Sequence, residues 1–139
     1  MDWYECNKKK IVKEVTADEG LIESLKKTSK NKLISQSRLE LDEVTVSSKI
    51  SLAYDSLREL LEALALVNGF KIYNHECYSS FLQEILKESS KADEFEEIRK
   101  MRNSINYYGK QVSVPEAKTL IERINALREK VRQLLENSP

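Results

Sequence analysis

The chain has 139 residues, 40% hydrophobic, 33% charged and 7% aromatic, with 3 Gly and 2 Pro. Its 23 Lys plus Arg balance 23 Asp plus Glu; this excludes a broad basic field that recruits nucleic acid by charge alone, so any such contact has to be local and shaped. The length fits one domain with a real hydrophobic core, and a mix rich in helix formers and poor in turn residues predicts an all-α, antiparallel bundle of five to six helices.

The first segment, Asp2 to Val15, reads as a weak helix with Tyr4, Ile11, Val12 and Val15 on one face and the basic run Lys8-Lys9-Lys10 interrupting it. Thr16-Ala17-Asp18-Glu19 has the form of a capping box, Thr at N-cap and Glu three residues on. The helix it opens is expected to reach Leu41. Its stripe, Ile22, Leu25, Ser29, Leu33 and Gln36, is only half apolar, which predicts a helix that is partly exposed or covered by another chain.

Val46 to Asn68 carries the clearest pattern. Apolar residues at 46, 50, 53, 54, 57, 60, 61, 64 and 67 make a wide core-facing stripe. Gly69 follows as a terminating glycine, and Phe70 to Tyr73 read as a short connection. Asn74 is the expected N-cap of a fourth helix over His75–Glu88 that buries Tyr78, Phe81, Leu82 and Ile85. Ser89-Ser90 mark the next break, and Ser90 with Asp93 predicts a fifth helix from Ala92 to Tyr107 or Tyr108, stopped by Gly109. Ser113-Val114-Pro115-Glu116 is a strong start signal for a last helix with Ala117, Leu120, Ile121, Ile124, Leu127, Val131, Leu134 and Leu135 on one face. There is no repeat or long linker. Residues 1–45 are the less regular part and 46–136 the regular core of a single domain.

Cys6 and Cys77 form no C-x-x-C and no cluster with His75, the one histidine. A structural zinc site needs about four N or S ligands, so no metal and no cofactor is expected, and Asp93, Glu94, Glu96 and Glu97 read as a helix start favoured by its dipole. A disulfide is open, but a reduced intracellular pair is the plainer reading. No apolar run approaches the roughly 18 residues of a membrane span, and the start Met1-Asp2-Trp3-Tyr4-Glu5 has no basic region followed by an apolar stretch. The expectation is a cytoplasmic protein with no membrane contact.

The fifth helix holds the one anomaly. At about 100° per residue, Phe95, Ile98 and Ile105 form its apolar stripe, and Arg102 projects between Phe95 and Ile98, with Asn106 on nearly the same line. A charge on a core-facing line needs a carboxylate, a partner subunit or a pocket that receives an anion. A planar guanidinium suits phosphate, whereas the plainer alternative is a structural arginine that pairs internally or reaches back to solvent. Arg99 and Lys100 project elsewhere and read as a solvated face. His75 reads first as a packing or capping residue. Tyr73, Tyr78, Tyr107 and Tyr108 read as core or interface residues, with a base-stacking surface as the alternative. Lys8-Lys9-Lys10 reads as a solvated run that becomes a phosphate contact only if it folds near Arg102.

The segment Arg102-Asn103-Ser104-Ile105-Asn106-Tyr107-Tyr108-Gly109, after Ile98-Arg99-Lys100-Met101, resembles the signature helix of HEPN domains. These are small helical bundles that occur as ribonucleases and as partners of minimal nucleotidyltransferases. Ala53 to Leu64, then Asn68-Gly69-Phe70-Lys71, His75-Glu76 and Phe81-Leu82, follow the order of elements that such domains show, and the resemblance covers about residues 46 to 136. The family's ribonuclease motif is an Arg, a polar residue that is often Asn, and a His a turn or more further along. Arg102 and Asn103 match; where the His commonly falls this chain has Tyr107, between Asn106 and Tyr108. His75 lies on another helix and is no motif match. Tyrosine, with a pKa of about 10, is a poor base at neutral pH beside histidine.

The resemblance therefore implies a dimeric binding and assembly module that keeps an anion site for a nucleotide or an RNA phosphate at Arg102; Asn106, Tyr108 and His75, which match no motif position, are binding candidates beside it. It also implies a nucleotidyltransferase partner in a toxin–antitoxin type of system. One alternative is a metal-independent endoribonuclease using Arg102, Asn103 and Tyr107 or His75 as its catalytic residues. The other is a helical dimerisation domain with no ligand site, since a fold does not fix a function.

Overall fold

A computed structural model describes residues 1–107 and 111–138, apart from the side chains of 106 and 107. Among the described residues the chain is an all-α helical bundle with one small sheet. In order it runs α1 (Trp3–Lys8), β1 (Val12–Glu14), α2 (Glu19–Arg38), α3 (Val46–Val67), β2 (Phe70–Ile72), α4 (Glu76–Ser80), a π-helical turn (Phe81–Ile85), α5 (Ser89–Tyr107) and α6 (Val114–Glu136).

α3 is the central element, packed against α2, α6, β2 and α5. Its wide apolar stripe explains this: Ile50, Ala53, Tyr54, Leu57, Leu61, Ala63 and Leu64 are all buried. Asn68 caps it, and Gly69 turns the chain out with a φ of 87°, a left-handed conformation that glycine adopts without strain. α6 begins as the sequence predicts. Ser113 Oγ accepts the Glu116 amide at 3.2 Å, and the Glu116 carboxylate faces back to the Ser113 amide at 3.5 Å.

The N-terminal segment departs from the expected helix. α1 stops after one and a half turns, Lys10 takes a φ of 59°, and residues 12–14 become a strand. β1 pairs antiparallel with β2, Val12 against Ile72, Lys13 against Lys71 and Glu14 against Phe70. The expected connection at Phe70–Tyr73 is thus a strand, made by a partner nearly sixty residues upstream that no local pattern reveals. The pairing also moves the start of α2. The Val15 amide donates to the Gly69 carbonyl at 2.9 Å, which keeps residue 15 extended, so Asp18 rather than Thr16 caps α2, accepting the Leu21 amide at 3.1 Å.

Cys6 and Cys77 are joined by a disulfide across a sequence separation of 71, so the pair is not the reduced one expected. Closing a loop of that length restricts the unfolded chain by about 4 kcal/mol, and it ties α1 to α4. The pair gives no support to a reducing, cytoplasmic setting. No helix among the described residues is long and apolar enough to cross a membrane. The fourth helix is shorter than expected, passing at Phe81 into the π turn, where the Leu86 amide donates to the Phe81 carbonyl. Tyr78, Phe81 and Leu82 are buried as predicted, and Ile85 only in part. Lys87, with a φ of 58°, makes the break that Ser89-Ser90 was expected to make, and α5 starts at Ser89.

α2 is partly exposed, as expected, with Leu25 and Leu33 of its stripe only half-buried, but the polar members of the stripe, Ser29 and Gln36, are buried inside the molecule. Ser29 Oγ donates to the Ser56 carbonyl at 2.6 Å, and Ser56 Oγ to the Ser29 carbonyl at 2.9 Å. Arg128 of α6, 6% exposed, donates Nε to Ser56 Oγ at 2.6 Å and Nη2 to Ser29 Oγ at 3.1 Å. Lys49 closes the far end of α2 by donating to the Gln36 and Leu39 carbonyls, each at 2.7 Å, while Glu59 accepts from Thr28 at 2.6 Å and pairs with Lys32.

The serine pair satisfies itself without the arginine, so removing the buried charge costs little, whereas removing a hydroxyl strands it. Chemical denaturation is expected to show Arg128→Met within about 1 kcal/mol of the parent or more stable, and Ser56→Ala less stable by about 1–3 kcal/mol. The reverse order would contradict this reading of the seam.

Candidate functional site

The site lies where α5 meets the segment between β2 and α4. α5 supplies Arg99, Arg102 and Asn103, and the segment supplies Tyr73, Asn74, His75 and Glu76; together they line a cleft of about 280 Å³. Three of the residues singled out in the sequence, Arg102, Asn103 and His75, therefore share one cleft. Tyr107, Asn106 and Tyr108 lie outside the residues or side chains described.

α3 forms the floor. Tyr54 is fully buried, and its hydroxyl meets His75 Nδ1 at 3.1 Å. A buried phenol needs such a partner. Asn74 precedes His75: its side chain accepts the Glu76 amide at 3.0 Å, but the N-cap position expected for Asn74 falls one residue later. His75 occupies the N-cap position but makes no side-chain capping bond.

Tyr54 also explains the anomaly of α5. The Arg102 guanidinium sits over the Tyr54 ring, 4.9 Å from its centroid. Phe95, one of the residues flanking Arg102 in projection, stacks on the same ring at 6.2 Å. An arginine can lie on an apolar stripe when an aromatic face receives it, a cation–π contact worth about 0.5–2 kcal/mol.

Arg99 is no solvated residue, contrary to its projection. Its side chain is 13% exposed and forks onto Glu96, at 3.1 and 2.6 Å, with Glu76 at 3.9 Å. Lys100, 71% exposed, is the solvated one. Tyr78 belongs to the core, and burial pushes its phenol well above the ordinary range. Tyr73 is 61% exposed at the rim. A larger groove of about 680 Å³ shares Glu76 and Arg99 but adds the carboxylates of Asp2, Glu84, Asp93 and Glu96, which disfavours an anion.

The electrostatics of the cleft are read from its imidazole. Burial, then Arg58 and Arg102, with Arg99 adding to them and Asp55 alone opposing, push His75 down to about 4. Burial likewise pushes Tyr54 up to about 12, against the pull of Arg102, Arg99 and Arg58. At neutral pH the phenol is therefore protonated and the imidazole neutral. A protonated phenol 3.1 Å from Nδ1 donates to it when the ring proton is on Nε2 and accepts from it when the proton is on Nδ1. The ring lies in a positive local field, lining the same cleft as Arg102 and Asn103.

Sequence reasoning missed Tyr54 and Arg58 because both sit within a helix whose regular stripe explains itself. Tyr54 was detectable in one respect: a tyrosine in the middle of a core stripe demands a partner for its hydroxyl. Among the described residues no cluster of His, Cys, Asp and Glu is arranged to hold a metal ion. Comparison with family models, with curated proteins and with solved structures finds no match to this chain.

The depressed His75 has a signed consequence. Between its ordinary value of 6.5 and about 4 the unfolded chain binds more protons than the folded one, so stability is present above this window and lost as pH falls through it. A nuclear magnetic resonance titration of the His75 ring is expected to give a midpoint near 4, and His75→Gln to flatten the fall in stability across the window. A midpoint at the ordinary value would remove the positive, desolvated cleft described here.

Proposed function

We propose that the cleft between α5 and residues 73–76 binds a phosphate-bearing anion, a nucleotide or an RNA phosphate, and that the chain is a HEPN-like binding and assembly module. The observation that carries this is the Tyr54–His75 bond beside Arg102. In this reading the Tyr54 hydroxyl donates to Nδ1, 3.1 Å away, which leaves the Nε2 N–H of the ring as a donor. Arg102, Asn103 and His75 then form a donor set from two elements, the kind of array that recognises oxyanions. An arginine stacked on a ring can still present in-plane N–H donors to a phosphate.

The ribonuclease reading has one observation in its favour, His75 in the same cleft as Arg102 and Asn103. Its imidazole is neutral, but with Nδ1 engaged it has no lone pair for the proton of an attacking hydroxyl. Binding is therefore the better supported activity. From the resemblance to HEPN domains we extend the proposal to a homodimer and to a nucleotidyltransferase partner in a toxin–antitoxin type of system. A cytoplasmic setting would require the Cys6–Cys77 bond to persist against a reducing pool.

Inorganic phosphate added to the protein is expected to raise the His75 midpoint by about one unit, because a bound anion favours the charged ring, and Arg102→Ala to abolish the shift. A mixed RNA pool incubated with the protein and a chelator is expected to remain intact. An unmoved midpoint would contradict the anion site; cleavage lost in Arg102→Ala would establish the nuclease reading instead.

A further inference from the structure

We propose that the outer face of the β1–β2 ribbon is a docking track for single-stranded nucleic acid leading into the cleft, with Tyr73 stacking a base and Lys13 and Lys71 meeting phosphates. This rests on the cleft being a phosphate site.

The register carries the argument. Val12 and Ile72 are partners, and both are buried. Side chains alternate along a strand, so the neighbouring pair, Lys13 and Lys71, falls on the outer face. Pairing continues past the ladder, the Tyr73 amide donating to the Ile11 carbonyl at 2.8 Å, and two residues on from Lys71 the same face carries Tyr73. Glu14 alternates to the other side with Val12. That face then carries two lysines directly opposite each other and, at its end, the exposed ring of Tyr73 opposite Ile11, which packs partly against the core.

Like charges facing each other across two strands repel. Glu62, 3.6 Å from the Lys71 ammonium, relieves one of them, while Lys13 is exposed. The Lys71 ammonium also lies 5.9 Å from the centroid of the Tyr73 ring, so charge and ring are adjacent, as phosphate and base are in a single strand. Tyr73 belongs to both surfaces: it ends the outer face and forms the rim of the cleft beside Asn74, His75 and Arg102. The basic run Lys8-Lys9-Lys10 arrives at the same end, one residue before the Ile11–Tyr73 contact. A mononucleotide would use the cleft and leave the ribbon empty; a polynucleotide uses both.

The test is fluorescence anisotropy of the intact, oxidised protein with a labelled dinucleotide and with RNA and DNA octanucleotides of mixed sequence. The octanucleotide is expected to bind about tenfold tighter than the dinucleotide. Tyr73→Ala is expected to remove about that factor for the octanucleotide alone, and Lys13→Gln to lower the log–log salt slope by about 0.7. Both substitutions are at exposed positions, and Arg102→Ala is expected to weaken both lengths. Preference for the ribose or deoxyribose octanucleotide would identify which strand the track takes. Equal affinity for both lengths with Tyr73→Ala silent, or equal displacement by polyglutamate or by a duplex, would overturn the track while leaving the cleft. Failure of every oligonucleotide, with no phosphate effect on His75, would remove the cleft and the track together.

Discussion

A phenol hydroxyl carried into a protein core has to find a partner, and at Tyr54 that requirement organises one side of the molecule. The stripe of α3 buries the ring completely. Its hydroxyl reaches outward to His75 Nδ1, which positions the residues between β2 and α4, and its face receives Arg102 from α5. Three elements distant in sequence are thus fixed around one side chain. The imidazole is desolvated and set among guanidinium groups by the same geometry, which is why it loses its proton so readily.

The other side of α3 solves a similar problem by different means. Arg128 is more deeply buried than Arg102 and meets the hydroxyls of Ser29 and Ser56. Each of those hydroxyls also caps the opposite helix's carbonyl, so small side chains let α2 and α3 approach while the polar groups are satisfied. The two arginines separate by chemistry: one is enclosed in the packing of three helices, and the other lines a cleft.

Periodicity revealed the helices that bury a continuous apolar face, α3 and α6, and the capping box at Ser113 set the start of α6 because its signal is local. What it missed was non-local. The β1–β2 pairing joins residues too far apart for any window, and it turned an expected helix into a strand and shifted the cap of α2 from Thr16 to Asp18. The disulfide was equally hidden, since two cysteines fix no geometry by themselves. The burial of Ser29 was hidden because a polar residue in a stripe reads as exposure, whereas its partners, Ser56 and Arg128, lay on other helices. At the site, Arg102 was legible as a charge on an apolar line. Its receiver was not, because Tyr54 looked like ordinary core and His75 lay outside the motif that drew attention to α5.

The account depends on which nitrogen of His75 holds the proton. A long-range proton–nitrogen correlation spectrum at neutral pH reads this directly from the two ring nitrogens. The account predicts an unprotonated Nδ1 and a protonated Nε2, with the pattern lost in Tyr54→Phe. A protonated Nδ1, or a pattern indifferent to Tyr54→Phe, would contradict the donor array and with it the case for binding over catalysis.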